Sequence, residues 1–341
     1  MFSKDDLKIL RNLIDNELQR LEQGGDTITA QHDEYGEIVF QKVQSYTDGR
    51  GVYLMRDAIG GLEFDAAEAL CICPLGLPAG TYNDGAGWSF HLTKDAPVGA
   101  LICVDWPHEK VNVYPNNYAG TPLETVDFYN KTEGTFIADS VGEGNVNFKP
   151  SDPSKTIWRT RCGSGNYAQS AVRKWLNSSK GPGEWWEPSH KFDMWPSYAD
   201  KPGFLAGFSS EFRKKLWLSA IPTRTNTVYE TPGYNTRDQY SCEDHFFLPS
   251  FTNLTGQDNG DISEGVQWDY FNDVWCEIVS TWTCDRLKKV DISTGKPVWW
   301  WLRSPNPNIA EDARSVDTDG DAYSDTNACD SGRAVAAACV I

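Results

Sequence analysis

Three consecutive tryptophans near the end of the chain, in the stretch "VWWWLRSP", constrain its fold more than any other feature. Side chains with this much apolar area must pack into a core. Yet they lead into the most polar stretch of the chain, since sixteen of the 27 residues from Asn306 to Gly332 are Asn, Asp, Ser, Thr or Gly. The chain then becomes apolar again in "RAVAAACVI". A polar run held between two core-like segments is predicted to be a folded surface, although its composition alone is typical of a disordered tail.

Small apolar residues punctuate this run and favour the same interpretation. We expect Ala310, Ala313, Val316, Ala322 and Ala328 to face inward while their polar neighbours face solvent. Packing does not dictate which small polar residues stand on an outward face. A requirement other than the stability of the fold is therefore predicted to select the outward-facing polar residues of this run.

Charge and composition exclude several classes of function. The formal net charge of −17 disfavours nucleic acid and anionic membranes as partners. No apolar run approaches the roughly 20 residues of a membrane span, so no membrane insertion is predicted. The N-terminal stretch has acidic residues throughout and no apolar h-region, so it is not expected to be a signal peptide. We therefore predict a protein made in a cytoplasm, with its nine cysteines reduced.

Three segments are predicted, and together they indicate an α+β fold class. Residues 1–28 contain an amphipathic helix over 4–23, which either docks on the body or joins copies of the chain. Residues 29–122 are expected to form a small β-rich domain, because short runs such as "EIVFQKVQSY", "GVYLMRD", "GWSFHLT" and "ALICVDW" alternate with turn signals. Residues 123–341 mix short helices and strands with long polar connections.

Two short helices are predicted in the C-terminal segment from their caps and apolar faces. The helix in "SAVRKWLNS" has Ser170 as its N-cap and an inward face of Val172, Trp175 and Leu176. The helix in "SSEFRKKLWLSA" has Ser209 or Ser210 as its N-cap and an inward face of Phe212, Leu216 and Trp217.

Motifs of enzymes and metal sites are missing from the sequence. There is no phosphate-binding loop, dinucleotide fingerprint, HExxH or GxSxG motif, and the five histidines do not pair with cysteines at zinc spacing. The segment "DTDGDAYSD" offers carboxylates to a calcium ion, but it lacks the glycine position and closing Glu of an EF-hand. We predict a hairpin with Asp319 and Gly320 at its corner, no metal, no cofactor and no enzymatic activity.

The C-terminal motifs resemble those of the variable proteins of diversity-generating retroelements. The resemblance is carried by "WWWLRSPNPN", "ARSVDTDGDA" and the closing strand, and it extends upstream to "GLPAGTY", "NYAQSAVRKWLNS" and "DHFFLPS". It covers most of the chain and is closest to the tail-associated members of phages and prophages. It implies a C-type-lectin-like domain, related to formylglycine-generating enzymes, in residues 123–341.

In that family a reverse transcriptase randomises adenines, mostly in AAC-type codons, near the 3′ end of the gene. The resemblance thus implies a solvent-facing, ligand-binding surface over about 306–333. Its variable positions would be Asn306, Asn308, Ile309, Asp312, Ser315, Asp317, Asp321, Tyr323, Ser324, Asp325, Thr326, Asn327, Cys329, Asp330 and Arg333. Glu311 cannot arise from such codons and is assigned to the framework. The scaffold beneath would be Trp299, Trp300, Trp301, Arg303 and Ser304.

These expectations combine into a ligand-binding protein of a phage tail tip. Its partners would be a bacterial surface protein or glycan, other virion tail proteins, and further copies of itself, with a homotrimer favoured. Tyr323 would be an aromatic anchor among adaptable polar residues. Two alternatives stay open: a calcium-dependent lectin using Asp317, Asp319 and Asp321, and an enzyme of the formylglycine-generating type. The enzyme would bring cysteines together in a cleft from among Cys162, Cys276, Cys284 and Cys329.

Overall fold

The structure is a computed structural model of the chain. It describes residues 27–66, 70–72, 78–83, 88–97, 100–104, 110–114, 123–130, 165–187, 195–224, 239–260, 263–307, 312–322 and 324–341. The N-terminal helix predicted over 4–23 lies outside these residues.

Antiparallel strands and four short α-helices make up the described chain, which confirms a mixed fold of helices and sheets. The strands are β1 Thr27–His32, β2 Gly36–Ser45, β3 Gly51–Met55, β4 Leu70–Ile72, β5 Gly80–Asn83, β6 Trp88–Leu92, β7 Leu101–Val104, β8 Lys110–Tyr114, β9 Glu124–Asn130, β10 Ser219–Arg224, β11 Gln239–Asp244, β12 Phe246–Phe247, β13 Lys289–Val290, β14 Pro297–Val298, β15 Trp300–Pro305, β16 Asp312–Val316, β17 Ser324–Asn327 and β18 Ala338–Val340. The helices are α1 Ala171–Leu176, α2 Ser210–Arg213, α3 Phe251–Thr255 and α4 Val274–Thr281. None of the helices in the described ranges is long and apolar enough to cross a membrane.

A five-stranded sheet joins the two ends of the described chain. Its order is β1-β2-β3-β18-β12, so the C-terminal strand lies between the third strand and β12. Ala338, Cys339 and Val340 pair antiparallel with residues 52–54 of β3. The sheet therefore includes strands from both sides of the domain boundary expected near residue 122. Local sequence patterns do not encode pairing between segments so far apart along the chain.

A six-stranded antiparallel sheet occupies residues 70–130, in the order β4-β7-β8-β9-β6-β5. Two runs expected to be strands, "GWSFHLT" and "ALICVDW", contribute β6 and β7. The described residues of this stretch are thus mainly strands, and β9 lies beyond the boundary expected near residue 122.

The helix α1 forms as its cap and apolar pattern predict. The Ser170 hydroxyl accepts the Arg173 N–H at 3.2 Å, which satisfies one of the free donors of the first turn. Val172, Trp175 and Leu176 are fully buried. The indole N–H of Trp175 donates to a main-chain carbonyl, so this ring is buried without an orphan donor.

The second predicted helix is shorter than its pattern indicates. Ser209 caps α2, but the helix ends at Arg213 and the predicted inward residue Trp217 is 52% exposed. Leu216 is buried, as predicted, and Phe212 packs against the core. The reason is a strand contact, because the Trp217 N–H donates to the Val340 carbonyl at 2.9 Å. The chain thus leaves the helix to follow the last strand, and it carries Trp217 outward.

Candidate functional site

The polar run forms the outer part of a three-stranded antiparallel sheet, β15-β16-β17. The tryptophan strand β15 pairs with β16, and β16 pairs with β17, which is an edge of this sheet. In register, Ser315 lies opposite Trp301 on one side and opposite Ser324 on the other. The most apolar and most polar stretches are therefore neighbouring strands.

Four of the predicted scaffold residues lie in β15 itself, and the fifth, Trp299, precedes it. Trp300, Trp301 and Ser304 have no exposed surface. Both indole N–H groups donate to main-chain carbonyls, that of Trp300 at 2.9 Å and that of Trp301 at 2.8 Å. Ser304 Oγ accepts the N–H of Phe251 at 2.8 Å, which joins β15 to α3. Trp299 is only half-buried, and the Arg333 guanidinium lies 4.4 Å from its ring centroid.

Arg303 connects β15 to three other segments and is 1% exposed. Its guanidinium donates to the carbonyls of Pro222 at 3.1 Å and Leu248 at 2.8 Å. It also donates to Asn253 Oδ1 at 2.8 Å and to the Glu264 carbonyl at 2.6 Å. A planar cation with several fixed donors is suited to holding acceptors from different segments in one geometry. Arg303 therefore fixes the strand on which the polar surface rests.

The alanines and valine of the polar run face inward as predicted. Ala313, Val316, Ala322 and Ala328 are fully buried, and Ala310 lies outside the described residues. Small residues at these places let the outer strands approach the tryptophan layer closely. The backbone of the run is thus held by its apolar positions, and only its partly exposed polar positions lie outside the core.

Nine of the predicted variable positions are partly exposed, and we call this set the outer surface. It consists of Asp317, Asp321, Ser324, Asp325, Thr326, Asn327, Cys329, Asp330 and Arg333. All four residues of the edge strand β17 belong to it. The outer surface therefore combines one edge strand with the turns on either side of it.

Three predicted variable positions are buried, which corrects the expectation that they face solvent. Asn306 is 5% exposed, Asp312 is 8% exposed and Ser315 is fully buried. Their places in the sheet explain this, because Ser315 lies opposite Trp301 and the Asn306 N–H donates to the Asp312 carbonyl at 2.8 Å. The types of residue that adenine replacement produces do not indicate which face of a strand they occupy. The predicted positions Asn308, Ile309 and Tyr323, with Glu311, lie outside the described residues.

A polar network around Arg314 lies behind the outer surface, and the sequence did not nominate this arginine. Arg314 Nη1 forms an ion pair with Asp325 Oδ2 at 2.9 Å, and its Nε donates to Asn259 Oδ1 at 3.0 Å. Asn306 Nδ2 donates to the same Asp325 oxygen at 2.6 Å. Arg314 is the one basic residue between 306 and 332, and this was the sequence feature that could have indicated its role. The network couples Asp325 to the interior, so this position is less free than its neighbours on β17.

Asp312 is a buried carboxylate near Asp325, and burial raises its pKa. Burial, and then the nearby charge of Asp325, raise the pKa of Asp312 from 3.8 to about 7. Its Oδ1 has no hydrogen-bond partner among the described residues. An acid with a raised pKa in the folded state stabilises that state most at low pH, and this contribution is lost as the pH rises from about 4 to about 7.

Replacing Asp312 with Asn is therefore expected to stabilise the protein at pH 8 but not at pH 4. At pH 8 the substitution removes a buried negative charge, and we expect the free energy of unfolding to rise by about 2 kcal/mol. Urea denaturation at both pH values measures the difference. A gain of equal size at pH 4 would contradict a charge-based cause, because the carboxyl is already neutral there.

The segment "DTDGDAYSD" forms the predicted hairpin turn between β16 and β17. Asp317 Oδ1 accepts the N–H groups of Asp319 at 2.8 Å and Asp321 at 2.9 Å. Gly320 has a φ of +87°, and its N–H donates to the Asp317 carbonyl at 3.1 Å. The Asp317 carboxylate is thus used to build the turn. Within the described ranges, no group of three or more His, Cys, Asp or Glu side chains is placed to hold a metal ion.

Two of the four cysteines of the enzyme alternative have side chains that the structure describes. Cys284 is buried and Cys329 is half-buried. Cys162 lies outside the described residues, as does the side chain of Cys276. Burial raises the pKa of the Cys339 thiol, which keeps it in its unreactive form.

An exposed tryptophan lies in the segment that contacts the hairpin turn, and no sequence pattern indicated it. Trp282 is 65% exposed and ends α4 with a φ of +57°. Residues other than glycine are disfavoured there by about 1–2 kcal/mol. The Cys284 N–H donates to the Asp319 carbonyl at 3.0 Å, which holds this segment against the turn. A helix commonly ends at a glycine, but Trp282 occupies that position after α4. The missing glycine was the sequence feature that could have indicated an unusual residue here.

Comparison with known proteins gives one family and no named relative. A family model described as a domain of unknown function, DUF6273, matches residues 142–341. No curated protein and no solved structure matches the chain.

Proposed function

We propose that this chain, which belongs to the DUF6273 family, is a non-enzymatic ligand-binding protein that contacts its target through the outer surface. One observation carries the proposal. The side chains of β17 and its flanking turns are partly exposed and polar, while the strands behind them are fixed by fully buried residues. Most residues on such a surface can be exchanged without disturbing the core, because their side chains do not pack in it. Asp325 and Asp317 are exceptions, since Asp325 pairs with the buried Arg314 and Asp317 builds the turn.

The chemistry of this surface suits a recognition site. Asn, Ser, Thr and Asp side chains hydrogen-bond adaptably, and a rigid frame beneath them limits the conformational entropy lost on binding. Trp282 adds a large exposed aromatic side chain two residues before Cys284, whose N–H donates to the Asp319 carbonyl of the turn. An exposed tryptophan in a strained backbone conformation contributes little to stability, but it suits a contact with a ligand.

The biological setting belongs to the same proposal and is supported by the sequence resemblance. The chain is a tail-tip adhesin of a phage or prophage, and a retroelement diversifies its C-terminal surface on a C-type-lectin-like domain. Its target is a protein or glycan on a bacterial surface, and other virion proteins and copies of the chain hold it on the particle, with a trimer favoured. Several copies per particle would increase the strength of attachment through avidity.

Removing the polar side chains of β17 tests this assignment. We expect the triple variant Ser324→Ala, Thr326→Ala, Asn327→Ala to lose about tenfold or more in binding, since each lost hydrogen bond contributes about 0.5–1.5 kcal/mol. Asp325 is left intact because it is paired with the buried Arg314. Flow cytometry of the labelled protein on a panel of bacterial strains measures the binding.

The matched control changes three exposed polar residues on a different edge strand. These are Thr27, Thr29 and Gln31 of β1, each replaced with Ala. We expect this variant to bind as the wild type does. Equal binding by the β17 variant, at an unchanged melting temperature, would exclude β17 as the contact surface.

A further inference from the structure

A basic cavity lies between the five-stranded sheet and the segment that precedes the tryptophan strand. Its volume is about 220 Å³. Arg56, at the end of β3, lines one side, and Arg286, Lys288 and Lys289 line another, with Asp285 as the acidic residue of the lining. Four basic residues against one acidic residue is unusual in a chain whose net charge is −17. The local charge is therefore opposite to that of the whole protein.

Lys289 is the most unusual of these residues, because it is 7% exposed. Its Nζ donates to the main-chain carbonyls of Met55 and, at 3.1 Å, of Arg56, and it lies 5.2 Å from the ring centroid of Trp300. No described carboxylate forms a salt bridge with it. Burial lowers the pKa of Lys289 to about 7, while the charge of Asp57 raises it and that of Arg56 lowers it further. An anion in the cavity would offset part of this cost of burial.

The other three basic side chains of the lining are at least partly exposed. The ion pairs Arg56–Asp57 at 3.2 Å and Lys288–Asp285 at 2.9 Å are exposed, and pairs of this kind contribute little. Arg286 Nη1 donates to the carbonyls of Tyr270 and Asn272, which holds the guanidinium in place. Arg56 and Lys288 can therefore turn toward a stronger anionic partner at small cost.

We infer that this cavity is a binding site for a small anion that carries a carboxylate or a phosphate on a ring. The basic side chains recognise the anionic group, and the apolar and aromatic part of the lining, which includes Val43, Leu54 and Tyr270, contacts the ring. The cavity is smaller than the roughly 300–1,000 Å³ of sites for drug-sized ligands. A single sugar-sized ring matches it. The site is separate from the outer surface and does not depend on the function proposed for that surface.

Calorimetric titration with three probes tests the inference: D-glucuronate, glucose 6-phosphate, and glucose as the neutral match. We expect both anions to bind at least about tenfold more tightly than glucose. At pH 8 binding should take up close to one proton, because an anion favours the charged form of Lys289. Repeating the titration in buffers of different ionisation enthalpy measures that uptake.

Two variants separate recognition from folding. Lys289→Met should abolish the proton uptake and weaken anion binding about tenfold or more. If that variant does not fold, the double variant Arg56→Gln, Lys288→Gln tests anion binding instead, since both residues are exposed. Lys215→Met, outside the cavity, is the control and should bind anions as the wild type does. Anions that bind no better than glucose would overturn the inference. So would unchanged anion binding by the Arg56 and Lys288 double variant.

Discussion

Replacing Arg303 with Met is expected to lower the free energy of unfolding by about 4 kcal/mol. The substitution keeps most of the side-chain volume but removes every donor. The carbonyls of Pro222, Leu248 and Glu264 and the Asn253 side-chain oxygen would lose these bonds inside the protein. Buried acceptors without partners are costly, so the loss exceeds that of a surface arginine.

Chemical denaturation measures this change, with Arg213→Met as the control. Arg213 lies in α2 and is partly exposed, so its replacement should change stability by less than about 0.5 kcal/mol. Arg303→Lys keeps the charge but not the planar donors, and we expect it to recover only part of the loss. A loss below 1 kcal/mol for Arg303→Met would mean that β15 is fixed by its tryptophans alone.

Replacing Gly320 with Ala is expected to cost about 3 kcal/mol and to move the hairpin turn. The φ of +87° is unfavourable for alanine, and a Cβ at this position would collide with the main-chain carbonyl of Cys284. Backbone atoms cannot move aside as a flexible side chain can, so the turn itself must shift. Since Asp317 and Asp321 belong to the outer surface, ligand binding should weaken as well.

Gly295 provides the matched control, because it separates backbone strain from the collision. Its φ is +65°, and nothing lies within 4 Å of where a Cβ would be. Gly295→Ala should therefore cost only about 1 kcal/mol. Thermal denaturation of the two variants gives the steric contribution by difference. Equal losses would show that the contact between the turn and Cys284 does not constrain Gly320.

Features of the fold that depend on neighbouring residues could be predicted from the sequence. The Ser170 cap, the inward alanines of the polar run and the Asp319–Gly320 turn each follow from a few adjacent residues. The pairing of β18 with β3 could not be predicted in this way, because it joins segments almost 300 residues apart. Trp217 was predicted to face the core but is exposed, because the helix ends at Arg213 and the Trp217 N–H then bonds to the Val340 carbonyl of β18.

The candidate site could be predicted in outline but not residue by residue. The polar composition of residues 306–332 and their place between two apolar segments predicted a folded surface. The tryptophans before them predicted the buried strand that supports it. Which polar residues are exposed depends on the register between β15 and β16, and this places Ser315 opposite Trp301. Trp282 and Arg314 could not be predicted as part of the site, because contacts between distant segments place them there. These contacts are the bond from the Cys284 N–H to the Asp319 carbonyl and the bond from Arg314 to Asn259.

Deep sequencing of natural copies of this gene tests the central claim most directly. If the outer surface is a diversified ligand-binding surface, substitutions should concentrate at adenines in the codons of β17 and its flanking turns. The codons for Trp300, Trp301, Arg303 and Ser304, together with β18, should stay nearly constant. Substitutions spread evenly over residues 299–341, or absent from β17, would contradict the account.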